Sequence, residues 1–226
     1  MGIHDEHRKR MKQKFIENGM DSFADHEVLE LLLYYAIARR DVNPIAHELI
    51  NRFGSLSAVF DAPMEELLKV DGIGEHSAAL IKMLPQFSRR YLISRTSSEN
   101  ILDSSKKAGQ YVQSFFYSMR KECVYIICLD AKNKVITTKC ITKGDVSSVP
   151  LSPRQVVEFA LSNQATSIIL AHNHPNGFAL PSSDDYSSTR RIEEALRAVD
   201  VTLLDHIIVA DDDFVSMSDN GFFHRY

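Results

Sequence analysis

The chain has 226 residues, 44% of them hydrophobic and 25% charged, with a formal net charge of −4 at pH 7; this composition is typical of a soluble globular protein that forms one large domain or two small ones. The negative net charge excludes a polycationic protein that is attracted to nucleic acid by its overall charge. The longest apolar run, residues 31–38, is shorter than the about 18 residues of a membrane span, and the charged first residues do not resemble a secretory signal, so a cytoplasmic protein is predicted.

Three cysteines, Cys123, Cys128 and Cys140, contain no Cys-x-x-Cys pair. An odd number of isolated thiols favours reduced cysteines over a disulfide framework or a cysteine-built zinc site. Reduced thiols agree with the predicted cytoplasmic location.

Residues 1–96 are predicted to form an all-helical domain with short connections between its helices. Asp25 is expected to cap a helix over 27–38, and Gly54 to end one that begins at Asn43. The 13 basic and 14 acidic residues of this part nearly cancel, so a contact with DNA would need a local patch.

A short turn, residues 70–74, separates two of these helices and contains Gly72 and Gly74. It resembles the turn of a helix-hairpin-helix module, in which backbone N–H groups commonly bind a DNA phosphate. The resemblance implies a possible DNA contact through both glycines. Two alternatives stay open, since a Gly-Ile-Gly turn also suits close helix packing or a protein contact, and Glu75 opposes an anion at this helix terminus.

Residues 97–104 are rich in serine and are predicted to be a linker. From 105 to 226, helical patterns alternate with β-type runs. Strands are expected over 123–129, 135–141, 167–171 and 202–210, with an edge strand near 214–217, and helices over 106–119, 153–162 and 184–199. An α+β protein of two domains is therefore predicted, with an all-α first domain and a mixed sheet in the second.

Two histidines, His172 and His174, follow the predicted strand 167–171 and would project from one face of it. A loop rich in proline and glycine then leads to Asp185. Two histidines and one acid, with a fourth position open, are typical of catalytic zinc. Simpler interpretations remain, because a histidine pair on a strand can be structural and Ser182-x-x-Asp185 also matches a helix capping box.

The segments His172-x-His174-Pro175-x-Gly177 and Pro181-Ser182-x-x-Asp185 resemble the JAMM (MPN+) metalloprotease motif. Nearly the whole chain is similar to the RadC family, bacterial proteins historically labelled DNA repair proteins. The further segments that match this family are Leu129-Asp130-x-Lys132-Asn133, Pro153-Arg154, Leu204-Asp205-His206 and the Gly-Ile-Gly turn. The resemblance implies that residues 105–226 form a JAMM domain of the cytidine-deaminase-like α/β type.

By this resemblance His172, His174 and Asp185 would bind Zn²⁺, and a water in the fourth position would have its pKa lowered to ~7. His206, flanked by apolar residues, is expected to have a core or supporting role. Phe178-Ala179-Leu180 departs from relatives that are more polar in this loop, which leaves the substrate preference open.

The resemblance also implies a glutamate that holds and deprotonates the water, located between the first helix of the domain and the strand after it. Glu122 fits that place. Glu158 is the competing candidate, although it lies within a predicted helix. Ser182 would donate a hydrogen bond to the oxyanion of the tetrahedral intermediate.

These features predict a zinc-dependent hydrolase of the JAMM type that cleaves a peptide or isopeptide amide, with a helical domain that recruits a protein partner or DNA. One alternative is a non-catalytic DNA-binding or repair-associated module in which the metal is structural or absent. Another is a metal-dependent nuclease that uses the same ligands. A zinc nucleoside deaminase is disfavoured because the Pro-Cys-x-x-Cys ligands are missing. No oligomeric state is predicted.

Overall fold

A computed structural model describes residues 3–38, 40–96, 101–143, 151–175 and 177–223. The chain divides into two compact units, Met1–Ser88 and Arg89–Tyr226, whereas the sequence placed the boundary at residue 96. Residues 97–100 of the expected linker lie outside the described residues. Leu102, within the same linker, is buried and donates its backbone N–H to the carbonyl of Asn133 at 2.8 Å.

The first unit is helical, as predicted. Its helices are α1 (Ile3–Asn18), α2 (Asp25–Leu33), α3 (Asn43–Phe53), α4 (Leu56–Asp61), α5 (Met64–Leu67) and α6 (Glu75–Thr96), the last continuing into the second unit. Gly54 ends α3 with a φ of +90°, a conformation that glycine adopts without strain. In the described parts of the chain, none of the helices combines the length and the apolar composition that crossing a membrane requires.

Helix α2 begins and ends differently from its prediction. Ala24 occupies the N-cap position, and its backbone N–H donates to the Glu27 carboxylate at 2.9 Å. This hydrogen bond is the main reason why the pKa of Glu27 is lowered. The prediction that Asp25 caps the helix was wrong, because its carboxylate instead accepts from the backbone N–H of Leu56 at 3.3 Å. The helix ends at Leu33 rather than near residue 38.

The turn before α6 is closed by its own hydrogen bonds. Gly72 has a φ of +87°, and a Cβ atom there would lie 2.6 Å from Cδ1 of Ile45. The backbone N–H of Gly74 donates to the Ser77 hydroxyl at 3.0 Å, and the N–H of Ile73 donates to a carbonyl in the same turn at 3.0 Å. Close packing thus accounts for Gly72, and the DNA contact stays a prediction.

The second unit contains a mixed five-stranded sheet, as predicted. Its elements are α7 (Ser105–Phe116), β1 (Cys123–Leu129), β2 (Val135–Lys143), α8 (Pro153–Ser162), β3 (Ser167–Asn173), α9 (Ser183–Arg197), β4 (Thr202–Ala210) and β5 (Asp213–Ser216). The strand order is β2-β1-β3-β4-β5, and only the β3–β4 pair is parallel among these strands. Strand β3 runs two residues beyond its predicted end, so it includes His172.

Helices cover both faces of this sheet. Alternate side chains of β1 separate the two cores, with Tyr125 and Ile127 packing on the α7 side and Val124 and Ile126 on the side of α8 and α9. Ile168 and Leu170 of β3 face α8 and α9. By the same alternation, the next residue on that face is His172, which therefore points toward α9.

Strand β4 contains one extra residue, Leu204, at a shift in its pairing with β3. Such a bulge re-aims the side chains that follow it. Beyond the shift, His206 pairs with Leu170 and lies on the α9 face of the sheet. The two central parallel strands thus each direct a histidine, His172 and His206, to the same region.

Candidate metal centre

Three side chains, from the end of β3, the residue that follows it and the first turn of α9, meet at one end of the sheet. His172 lies at the end of β3, His174 follows it with its backbone N–H bonded to the carbonyl of Val209 at 2.8 Å, and Asp185 belongs to the first turn of α9. The Nε2 atoms of the two histidines are 2.9 Å apart. Asp185 Oδ1 lies 3.1 Å from Nε2 of His172, and its Oδ2 lies 3.5 Å from Nε2 of His174.

These three side chains, here called the donor triangle, hold their donor atoms at separations close to those around zinc. A tetrahedral ion with bonds of about 2.0–2.1 Å separates neighbouring ligand atoms by roughly 3.3 Å. The two Nε2 atoms are 2.9 Å apart, and Asp185 approaches His172 to 3.1 Å through Oδ1 and His174 to 3.5 Å through Oδ2. The two imidazoles and one carboxylate are ligand types that zinc prefers, and they leave one position for a water or substrate. The residues therefore fit the ion that the sequence implied.

The free ring nitrogen of His174 is held by the loop that follows it. Its Nδ1 lies 3.1 Å from the backbone carbonyl of Phe178. A carbonyl can only accept, so Nδ1 carries the proton and Nε2 has the lone pair that a metal needs. The pKa of His174 is raised mainly by its hydrogen bond to Asp185, against the effect of burial, with a smaller contribution from the charge of Glu122.

Asp185 makes the contacts of a helix cap and also lies beside the two histidines, so neither of the two alternatives from the sequence excludes the other. Its Oδ2 accepts from the backbone N–H of Ser182 at 2.7 Å and from the Ser182 hydroxyl at 2.6 Å, while Oδ1 faces His172. Burial opposes ionisation of Asp185, but its contacts with His172 and His174 outweigh burial and hold its pKa far below the ordinary range. The Ser182 hydroxyl would have to rotate away from Asp185 to reach an oxyanion.

Glu122 and Glu158 differ in what surrounds them. Strand β1 runs antiparallel to β3 and pairs Val124 with His172, so Glu122, two residues earlier, lies toward His174. Its charge acts on that histidine. Glu158, on α8, accepts instead from Nε of Arg154 at 2.7 Å, and its side chain is 58% exposed. The surroundings thus favour Glu122 as the candidate base.

Sequence reasoning missed Asn173, which holds the backbone on either side of Glu122. Its Oδ1 accepts from the N–H of Cys123 at 2.8 Å, and its Nδ2 donates to the carbonyl of Lys121 at 3.2 Å. Asn173 is buried. Its only signal in the sequence was a polar residue between the two histidines, where the strand would otherwise continue its apolar pattern.

A second missed residue, Thr189 on α9, reaches the centre through His206. The Thr189 hydroxyl lies 2.6 Å from the backbone carbonyl of Asp185 and 2.6 Å from Nδ1 of His206. Nε2 of His206 lies 2.8 Å from Nδ1 of His172. Burial lowers the pKa of His206 well below its ordinary value, and the neighbouring His172 lowers it further. His206 contacts a candidate ligand rather than completing the donor triangle, in agreement with the supporting role expected for it.

The chain resembles known proteins along most of its length. Residues 102–222 match the family model described as RadC-like JAB domain, and residues 4–79 match the one described as UPF0758 N-terminal. A UPF0758 protein from Ruegeria pomeroyi is 34% identical over 217 residues, which cover 96% of this chain and 97% of the relative.

Proposed function

The chain belongs to the RadC-like family with a JAB domain and a UPF0758 N-terminal region, and from this premise we propose that it is a zinc-dependent hydrolase that cleaves an amide bond in a peptide or protein. The observation that carries the proposal is the donor triangle of His172, His174 and Asp185, with separations of 2.9, 3.1 and 3.5 Å. Zn²⁺ bound by these residues would supply a water nucleophile at neutral pH, because zinc lowers the pKa of a bound water to about 7.

The remaining roles fall to side chains around the triangle. Glu122 accepts a proton from the attacking water and returns it to the leaving amine. Ser182 turns its hydroxyl from Asp185 toward the substrate carbonyl oxygen, where negative charge develops in the tetrahedral intermediate. His172, His174 and Asp185 keep the donor atoms in place throughout.

The loop beside the site favours a peptide over a nucleic acid as substrate. The backbone carbonyl of Phe178 contacts His174, yet Phe178 as a whole is 82% exposed and Leu180 is 62% exposed. Apolar side chains suit a peptide segment, whereas a nucleic-acid backbone is bound chiefly by Lys and Arg. The helical unit recruits the protein substrate or DNA in this proposal, and Gly72 and Gly74 remain the residues proposed for a DNA contact.

Zinc content and peptide hydrolysis test the proposal. The purified protein should contain close to one zinc ion per chain, and the double variant His172→Ala/His174→Ala should contain almost none. Glu122→Gln should keep the zinc and lose roughly 10²–10⁴-fold in hydrolysis of a peptide library. Glu158→Gln is the matched control and should retain activity. Equal, near-zero zinc in the unaltered protein and the double variant would refute the metal site.

A further inference from the structure

We propose that Thr189, acting through His206, fixes the ring tautomer in which His172 offers Nε2 to the metal. The inference rests on the zinc site proposed above and gives positioning roles to two residues that do not themselves bind the ion. It follows from counting the protons available to three consecutive contacts: Thr189 to the carbonyl of Asp185, Thr189 to His206, and His206 to His172.

The first contact decides where the only hydroxyl proton of Thr189 goes. A carbonyl oxygen accepts and never donates, so at 2.6 Å the proton between Thr189 Oγ1 and Asp185 O comes from Thr189. Ser188 donates to the same carbonyl at 3.1 Å, which its two lone pairs permit. A weaker acceptor, Sδ of Met217, lies 3.8 Å from Oγ1, and donation to it would equally leave Oγ1 as an acceptor toward His206.

The second contact then sets the proton of His206. Its Nδ1 lies 2.6 Å from a hydroxyl oxygen that has already used its proton, so the hydrogen between them belongs to Nδ1. His206 is 2% exposed, and burial favours a ring with a single proton, which the contact with Thr189 holds on Nδ1. Nε2 of His206 is left as an acceptor.

The third contact determines the tautomer of the candidate ligand His172. Nδ1 of His172 donates to Nε2 of His206 at 2.8 Å, which leaves the lone pair of His172 on Nε2, the atom of the donor triangle. If His206 Nε2 were the donor and His172 Nδ1 the acceptor, Nε2 of His172 would carry the hydrogen and could not bind a metal. His174 needs no such relay, because the carbonyl of Phe178 fixes its proton directly.

These proton positions leave the space between His172, His174 and Asp185 favourable for a positive charge. With both Nδ1 atoms protonated, the Nε2 lone pairs of His172 and His174 face each other at 2.9 Å, next to the Asp185 carboxylate. Only a shared proton or a metal ion can occupy such a position favourably. Thr189 and His206 therefore prepare the site for a cation.

NMR of the metal-free protein with ¹⁵N-labelled histidine tests the tautomers directly. Long-range ¹⁵N–¹H correlations should show the proton of His206 on Nδ1 rather than Nε2. A proton on Nε2 of His206 would overturn the inference. This measurement needs no variant, zinc or hydrolytic activity, so its outcome is separate from the success or failure of the proposed function.

Zinc affinity provides the second test, measured by competition with a chromophoric chelator. Thr189→Val keeps the shape of the side chain without its hydroxyl and should weaken zinc binding roughly 10- to 100-fold. Thr189→Ser should restore affinity. Ser188→Ala is the matched control, because Ser188 donates to the same carbonyl but is not part of the relay. Unchanged affinity in Thr189→Val, or an equal loss in Ser188→Ala, would contradict the relay.

Discussion

Asn173 joins the strand that carries the histidines to the backbone around Glu122, with hydrogen bonds at 2.8 and 3.2 Å. We expect Asn173→Ala to lower peptide hydrolysis roughly 10- to 100-fold, because a small displacement of a catalytic group is costly. Zinc content should stay unchanged, since Asn173 contributes no donor atom to the triangle. Steady-state kinetics and metal analysis of the same preparation measure both effects.

Asn173→Asp is the comparison variant for this prediction. It keeps an acceptor for the N–H of Cys123 but replaces the donor to Lys121, so its loss of activity should be measurable and its fold intact. A variant that loses zinc while keeping its turnover per bound ion would show that Asn173 supports the ligands rather than Glu122.

Residues of the site could be predicted from the sequence where they belong to a motif with short, fixed spacing. His172, His174, Ser182 and Asp185 form a motif of short separations, and the structure brings them together. Asn173 and Thr189 act through partners 50 and 17 positions away in the chain. No local pattern indicates those partners, because strand pairing and helix packing bring them together.

At the scale of elements, α7 packs against β5 through a glycine. A Cβ atom on Gly109 would lie 2.1 Å from the ring of Phe214. Ala is normally about 1 kcal/mol better than Gly inside a helix, but this clash should dominate. We expect Gly109→Ala to lower the free energy of unfolding by about 1–3 kcal/mol, as measured by denaturant titration.

The double variant Gly109→Ala/Phe214→Leu provides the control. The smaller side chain makes room for the new methyl group, so the double variant should lose less stability than the sum of the two single variants. Simple additivity would indicate that the loss of stability in Gly109→Ala does not come from contact with the ring of Phe214.

Element positions followed from sequence patterns, while some of their ends did not. The predicted bounds of β1, α8 and β4 agree with the structure. Strand β3 reaches Asn173 because His172 pairs with Val124 of β1, a contact between distant segments. The apolar run after Leu33 has a helical sequence pattern, but it forms turns. The backbone carbonyl of Ile37 in this run accepts a hydrogen bond from the Arg8 guanidinium at 2.9 Å.

At the scale of the whole molecule, each unit has its own hydrophobic core. We expect Leu49→Ala, in the core of the first unit, to destabilise that unit by about 2–5 kcal/mol and to leave zinc affinity unchanged. Leu196→Ala, on α9 in the second unit, should lower zinc affinity because α9 carries Asp185. Both leucines are fully buried, so the pair is matched.

Denaturant unfolding followed by circular dichroism, with zinc affinity measured on the same variants, checks this prediction. An equal loss of affinity in Leu49→Ala and Leu196→Ala would mean that the two units unfold as one.

The two-domain organisation was predictable because the helical pattern changes to alternating strands and helices. The boundary between the two compact units lies between residues 88 and 89, inside α6, whereas the prediction of residue 96 followed the serine-rich run that comes after this helix.

The carboxylate of Asp185 connects the candidate metal centre to the first turn of α9. Its Oδ2 accepts from the backbone N–H of Ser182, while Oδ1 lies 3.1 Å from Nε2 of His172. An ion that restrains this carboxylate also restrains the helix cap, so the Ser182 amide should exchange with deuterium more slowly when zinc is bound. Hydrogen exchange at one amide thus offers a way to follow occupancy of the centre without knowing the substrate.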